Sequence, residues 1–108
     1  MISWKDFENV EIHVGKIIKV ENFPEAKVPA YKLKIDFGKL GIKKSSARIT
    51  KKYTKEELIG KLIVAVTNFH PKQIANFMSE VLVLGVGTGE GIVLLNVDKE
   101  VELGGRIC

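Results

Sequence analysis

The chain has 108 residues, 45% of them apolar and 28% charged, the composition of an ordinary globular protein able to bury roughly two thirds of its unfolded surface. No apolar run approaches the roughly 20 residues that cross a bilayer, and Met1-Ile2-Ser3-Trp4-Lys5-Asp6 lacks the basic start and apolar stretch of a secretion signal. One domain over residues 1–108, without membrane insertion and cytoplasmic, is therefore expected. The net charge of +4 is unevenly spread: residues 1–31 sum to −1, residues 32–61 to +7 and residues 80–108 to −3. Such a central basic block fits an anionic partner; a solvated lysine-rich face accounts for the same charges, and charge alone does not separate the two.

Ser3 followed three residues later by Asp6 is a capping-box pattern, predicting a helical stub over 3–9. Trp4 and Phe7 would share one face of it, and so short a helix needs something to dock on. From Glu11 to Glu21 the even positions Ile12, Val14, Ile18 and Val20 are apolar, which predicts a half-buried strand with Gly15 as a bulge or bend. Tyr31 to Phe37 alternates without a break, with Leu33, Ile35 and Phe37 on one face and Lys32, Lys34 and Asp36 on the other. Gly38 to Gly41 turns the chain, and Ile42 to Thr50 returns as a third strand. Ser45, Ser46 and Ala47 make that strand small-sided, leaving room for something to approach its backbone.

Thr54 and Glu57 form a second capping box, and Gly60 is placed to end a single-turn helix. Leu62 to Val66 is continuously apolar and reads as a strand buried on both sides. The stretch from Asn68 to Gly85 is too polar and irregular for a plain hairpin loop. It carries Pro71, the donors Lys72 and Gln73, and the large apolar groups Phe77 and Met78, as a binding loop would. Val81 to Leu84 and Ile92 to Leu95 read as a hairpin turning through the glycine run Gly85 to Gly91. The acidic tail, 97–108, retains Val101, Leu103 and Ile107. Five or six strands with a short helix between the third and fourth define an all-β chain with one or two short helices, and suit a five-stranded OB-fold Greek-key barrel.

Signals of catalysis are missing. The glycine run has no helix after it, as a phosphate loop requires. His13 and His70, the two histidines, have no second ligand at metal spacing, and His13 reads as a strand-surface side chain. Cys108 cannot close an internal disulfide and reads as an incidental thiol. No enzyme activity, metal or cofactor is expected.

Several segments together carry a resemblance: Asp6-Phe7-Glu8, Val14-Gly15-Lys16-Ile17, Phe23-Pro24-Glu25-Ala26-Lys27-Val28-Pro29-Ala30, Leu33-Lys34-Ile35-Asp36-Phe37-Gly38, Ser45-Ser46-Ala47, Ile49-Thr50-Lys51 and the loop ending Ser79-Glu80-Val81-Leu82-Val83-Leu84-Gly85. On these the chain resembles the CsaA branch of the stand-alone tRNA-binding OB-domain proteins, over nearly its full length. Asn76 replaces a glycine usual before the loop aromatic, and asparagine is the residue expected to tolerate a left-handed backbone there. The resemblance implies a homodimer that binds tRNA or similar structured RNA, and, as an export-related chaperone, unfolded or export-bound polypeptide. A trans-acting tRNA-binding appendage of an aminoacyl-tRNA synthetase is the alternative.

For RNA the candidate surface combines Lys32, Lys34, Lys43, Lys44, Arg48, Lys51 and Lys52 with Ser45, Ser46 and Ser79, and with Asn68, Lys72 and Gln73 from the loop. Phe77 has two readings, a stacking platform for a base, or core packing or a dimer contact of the kind by which loop aromatics anchor their loop. For polypeptide the candidates are Phe69, Ile74, Phe77 and Met78. For self-pairing they are Trp4, Phe7, Val101, Leu103 and Ile107, which lie outside the barrel strands.

Overall fold

The computed structural model describes residues 1–108. Its longest strand, β1 (Ile12–Asn22), is shared between neighbours. The first half, Ile12 to Lys16, pairs antiparallel with β4 (Leu62–Val66). The second half, Lys16 to Asn22, pairs with β2 (Tyr31–Asp36). With β3 (Ile42–Ala47) and β7 (Leu82–Val83) these form a five-stranded sheet in the order β3-β2-β1-β4-β7, curled into a nearly closed barrel of OB type. Ile17, Leu33, Ile35, Phe37, Leu58 and Ile63 are the large apolar side chains fully withdrawn from solvent at its centre.

The β1 register shifts between Ile17 and Lys19. A bulge adds one residue and flips the period-two alternation. Gly15 and Ile17 therefore face the core before it, and Val20 packs on the core after it. This corrects the even-position reading: Ile17 is fully buried while Ile18 is 40% exposed. The bulge also falls three residues past Gly15. Gly15 serves a different need, because a Cβ there would lie 2.6 Å from Ile35 Cγ2 and 2.7 Å from Phe37 Cε1.

The two capping boxes form as the spacing requires. In α1 (Trp4–Glu8), Asp6 N donates to Ser3 Oγ and Ser3 N to Asp6 Oδ2. In α2 (Lys55–Leu58), Glu57 N donates to Thr54 Oγ1 and Thr54 N to Glu57 Oε1. Leu58 then enters the core, and Gly60 takes φ 85° just beyond. β4 is buried on both sides, with Ile63 and Ala65 inward and Val64 and Val66 outward.

The edge of β1 that β2 leaves open ahead of Lys16 is filled by the tail. Gly104 N donates to Val14 O, Val14 N to Gly105 O and Ile107 N to Ile12 O, each at 2.8–2.9 Å. His13 is drawn into this junction: it is buried, and its Nδ1 donates to Gly104 O at 2.9 Å. The strand-surface reading of His13 is thus corrected, because the docking tail covers what would otherwise be an open strand face. Arg106 Nη2 donates to Glu8 O and gives α1 its anchor.

Other readings change as well. The stretch 68–85 contains a hairpin of its own, β5 (Lys72–Ile74) and β6 (Phe77–Ser79), turning through Ala75 and Asn76. The left-handed residue is Ala75, φ 51°, and not Asn76. The glycine run is a strand, β8 (Gly85–Thr88), paired with β9 (Gly91–Leu94), and β7 pairs with β4 instead. Gly85-Val86-Gly87-Thr88 alternates glycine with β-branched residues, a period-two pattern in its own right. A Cβ at Gly85 would approach Ile92 Cγ2 to 2.6 Å, so the glycine permits the pairing. β3 ends at Ala47, short of the expected Thr50, and Ile49 beyond it is buried.

Gly15→Ala should destabilise the barrel by about 1–3 kcal/mol, since Ile35 and Phe37 are fully packed and cannot yield. That corresponds to a fall in Tm of roughly 4–8 °C per kcal/mol. Gly87→Ala, which meets nothing within 4 Å, should leave the thermal transition in place.

Candidate nucleic-acid interface

Strand alternation builds the basic face. β2 turns Leu33 and Ile35 inward and Lys32 and Lys34 outward. In the β2–β3 register Lys32 opposes Ser46 and Lys34 opposes Lys44, so these four residues share the outer face. Lys43 opposes Ile35 and belongs to the other face, so the adjacent pair Lys43–Lys44 is split across the sheet. Like charges placed directly opposite on neighbouring strands destabilise the pair, yet none of Lys32, Lys34, Lys44, Arg48 or Lys72 is in an ion pair with a carboxylate.

An aromatic pair holds part of this charge in place. The Phe23 and Phe77 rings meet edge to face at 5.5 Å. Lys32 Nζ lies 5.5 Å from the Phe23 centroid and 5.9 Å from that of Phe77, and Lys44 Nζ lies 5.2 Å from Phe77. Phe77 thus anchors the β5–β6 hairpin on Phe23 and carries two ammonium groups.

The small side chains of β3 do admit an approach to its backbone, and what approaches is the chain's own segment 79–81. Lys44 N donates to Glu80 Oε1 at 2.9 Å while Glu80 N donates to Lys44 O at 2.8 Å. Ser46 N donates to Ser79 Oγ at 3.0 Å, and Ser45 Oγ to Val81 O at 3.0 Å. Ser45 is 1% exposed, which takes it off the surface where it was expected.

Other candidates are also engaged within the chain. Asn68 Oδ1 accepts from Glu11 N and its Nδ2 donates to Asn9 O, pinning the start of β1. Gln73 Nε2 donates to Ala75 O inside the hairpin turn. Lys51 and Lys52 pack against Gly91 at the β8–β9 turn, where Lys52 Nζ is 3.7 Å from Glu90 Oε2. Arg48 and Lys72, by contrast, meet Phe69 and Ile74 around a cavity of about 560 Å³ between the end of β3, the β5–β6 hairpin and β7. Met78 shares a register with Gln73 on the opposite face of the hairpin from Phe77. Of the residues expected to pair two copies, Trp4 and Val101 are exposed, and Phe7, Leu103 and Ile107 are half-buried within the chain.

Sequence reasoning missed Phe23 and Glu80 as organisers of the site. Phe23 stands one residue before Pro24, and an aromatic kept inside a turn segment is the signal that was available; it is 4% exposed. Nothing local marks Glu80, whose backbone partner lies 36 residues away.

An OB-type barrel with unpaired cations on one outer face, and an amphipathic cleft beside it, is a binding module in its construction. The chain belongs to the family described as "Putative tRNA binding domain", which matches residues 12–106. It is similar to two solved structures of the chaperone CsaA. One, from Picrophilus torridus, is 57% identical with a TM-score of 0.95 and 100% of each chain covered. The other, from Bacillus anthracis, is 50% identical with a TM-score of 0.94, covering 100% of this chain and 99% of that one. Among curated relatives, the methionine–tRNA ligase of Pyrococcus horikoshii is 36% identical over 106 residues, which are 98% of this chain and 14% of the ligase. The likeness to CsaA read from the sequence is borne out along the whole chain.

Replacing both Ser79 and Glu80 by alanine should release the β3 edge. Amide hydrogen exchange at Lys44 and Ser46 should quicken by about tenfold or more, as expected for losing backbone hydrogen bonds worth roughly 1–3 kcal/mol when left unmade. Amides of Leu33 and Ile35 should keep their protection.

Proposed function

We propose that the protein is a non-enzymatic binding protein that holds tRNA or a similarly structured RNA on the outer face of β2 and β3. The observation that carries this is the opposition of Lys34 to Lys44, with Lys32 beside them and no carboxylate paired to any of the three. The repulsion persists in the free chain and is relieved when phosphates lie over the lysines. Recognition is by charge and shape, because phosphate contacts position a nucleic acid without reading its sequence. Of the residues expected in the RNA surface, Lys32, Lys34, Lys44 and Ser46 form the centre, with Arg48 and Lys72 at its margin. Membership of a tRNA-binding family supports the reading.

A second activity, an export-related chaperone for unfolded or export-bound polypeptide, is supported by the full-length likeness to CsaA and by apolar groups left at the surface, Phe69 and Met78 among them. We propose a homodimer as the assembly, with exposed Trp4 and Val101 at its interface. The alternative, a tRNA-binding appendage working in trans with a synthetase, draws its support from the ligase relatives, in which the matching stretch is a small part of a longer protein.

A salt titration tests the RNA reading. For wild type, log K for tRNA should fall steeply with log salt. In the triple variant Lys32→Glu, Lys34→Glu, Lys44→Glu the slope should flatten by about two units, at roughly 0.7–0.9 for each phosphate the protein no longer neutralises. Lys43→Glu, on the other face, should change it far less. Unchanged tRNA affinity in the triple variant rules this face out. For the assembly, sedimentation at micromolar concentration should give a dimer for wild type and a single chain for Trp4→Asp combined with Val101→Asp; a monomeric wild type would refute the pairing.

A further inference from the structure

The cavity between the end of β3, the β5–β6 hairpin and β7 has a construction that charge-and-shape binding does not use. Its floor borders the barrel core: Ile49 and Val81 are buried core residues, and the half-buried Val83 and Ile92 pack against the core cluster. Val83 lies on β7 and Ile92 on β9, while Ile49 and Val81 are held by their burial in the core, so the floor exists without a ligand. At the mouth stand Arg48, His70 and Lys72, all exposed and none in an ion pair. Phe69, 57% exposed, forms one wall. The one carboxylate in the lining, that of Glu80, has an oxygen bonded to Lys44 N in the barrel seam.

We infer that this cavity receives one unstacked nucleotide of the bound RNA, with the base over the apolar floor beside Phe69 and its phosphate on Arg48 and Lys72. The inference rests on the RNA reading above and adds to it: the bound RNA must offer an unpaired nucleotide. Three points carry it. The volume, about 560 Å³, lies within the roughly 300–1,000 Å³ of small-ligand clefts and suits a single nucleotide. Arg48 and Lys72 are the exposed charged side chains of the lining and both are cations, which match an anionic substituent and leave an uncharged apolar segment without a partner for them; a guanidinium also offers a two-pronged grip on phosphate. Finally, Ser46 belongs both to the lysine face and to the cavity lining, so the face that carries Lys32, Lys34 and Lys44 adjoins the cavity. Structured RNAs present such splayed nucleotides in their loops and ends, where aromatic side chains meet them.

The experiment compares a short single-stranded RNA carrying one 2-aminopurine with a blunt RNA duplex of equal phosphate number. Wild type should prefer the single strand by about tenfold, within what one base–aromatic stack gives, and the 2-aminopurine fluorescence should change on binding. Phe69→Ala, a surface change that spares the fold, and Ile92→Phe, which fills the floor, should each abolish the preference and the fluorescence change while leaving the salt slope intact. Equal affinity of wild type for duplex and single strand, or a preference untouched by both variants, overturns the inference while the RNA reading stands. Failure of both RNAs to bind brings down that reading itself. If an uncharged apolar peptide perturbs the NMR signals of Phe69 and Ile92 and the oligonucleotide does not, the cavity belongs to polypeptide and the inference is overturned.

Discussion

The reciprocal hydrogen bonds between Lys44 and Glu80 are the constraint on which the rest of the molecule's working face depends. β3 and β7 lie at the two ends of the five-stranded sheet, and a barrel must join them. A continuous ladder would seal the seam along its length. Here the seam is instead closed by one backbone bond, Glu80 N to Lys44 O, and by the Ser79 and Glu80 side chains reaching the β3 backbone, helped by Ser45 on Val81 O. That closure satisfies the amides of Lys44 and Ser46, which would otherwise form an edge prone to pairing with other chains. It also stops at Ser46, and the cavity opens beyond that point.

Seam closure fixes the electrostatics as well. Holding Glu80 against Lys44 brings the β5–β6 hairpin over β3 and sets Phe77 between two lysines. Opposed like charges cost up to about 1 kcal/mol, and each exposed ammonium over a ring returns about 0.5–1 kcal/mol. The two effects are of similar size, so the crowded cations can persist without a net loss of stability. The contacts of Phe77 within the chain favour the anchoring reading. Its edge contact is with Phe23 and its ring carries ammonium groups, so it anchors the hairpin and positions charge.

What was legible in the sequence divides along a physical line. Local signals survived: both capping boxes, the alternation of β2, and the doubly buried β4 all follow from forces acting within a few residues. Expectations that needed a phase or a partner did less well. A bulge in β1 reverses the facing of Ile17 and Ile18, and no residue type near it announces the extra residue. The Gly85 to Thr88 strand was hidden because glycine usually punctuates, although the alternate Val86 and Thr88 carried the period. The consecutive lysines 43 and 44 looked like one patch, whereas strand geometry sends neighbours to opposite faces. Asn68 and Ser45 looked available to a ligand because their partners, Glu11, Asn9 and Val81, are distant in sequence or set by the closure of the barrel.

The short β5–β6 hairpin shows how few residues carry both halves of the site. With Lys72 opposite Ser79 and Ile74 opposite Phe77, its inner face presents four side chains to the barrel, while Gln73 and Met78 face away. Phe77 and Ser79 are committed to the seam and the lysine face; Lys72 and Ile74 line the cavity. One two-residue turn sets this register, and it holds Ala75 at φ 51°, a conformation that costs an L-residue roughly 1–2 kcal/mol. The turn is kept there by the packing of Phe77 on Phe23 and by Gln73 bonding to Ala75 O. A slip of one residue would exchange the two faces, placing Gln73 and Met78 inward and removing the seam, the ring between the lysines and the cavity wall together. Charge presentation and the apolar cleft therefore stand or fall as one unit, coupled through the register of three residue pairs.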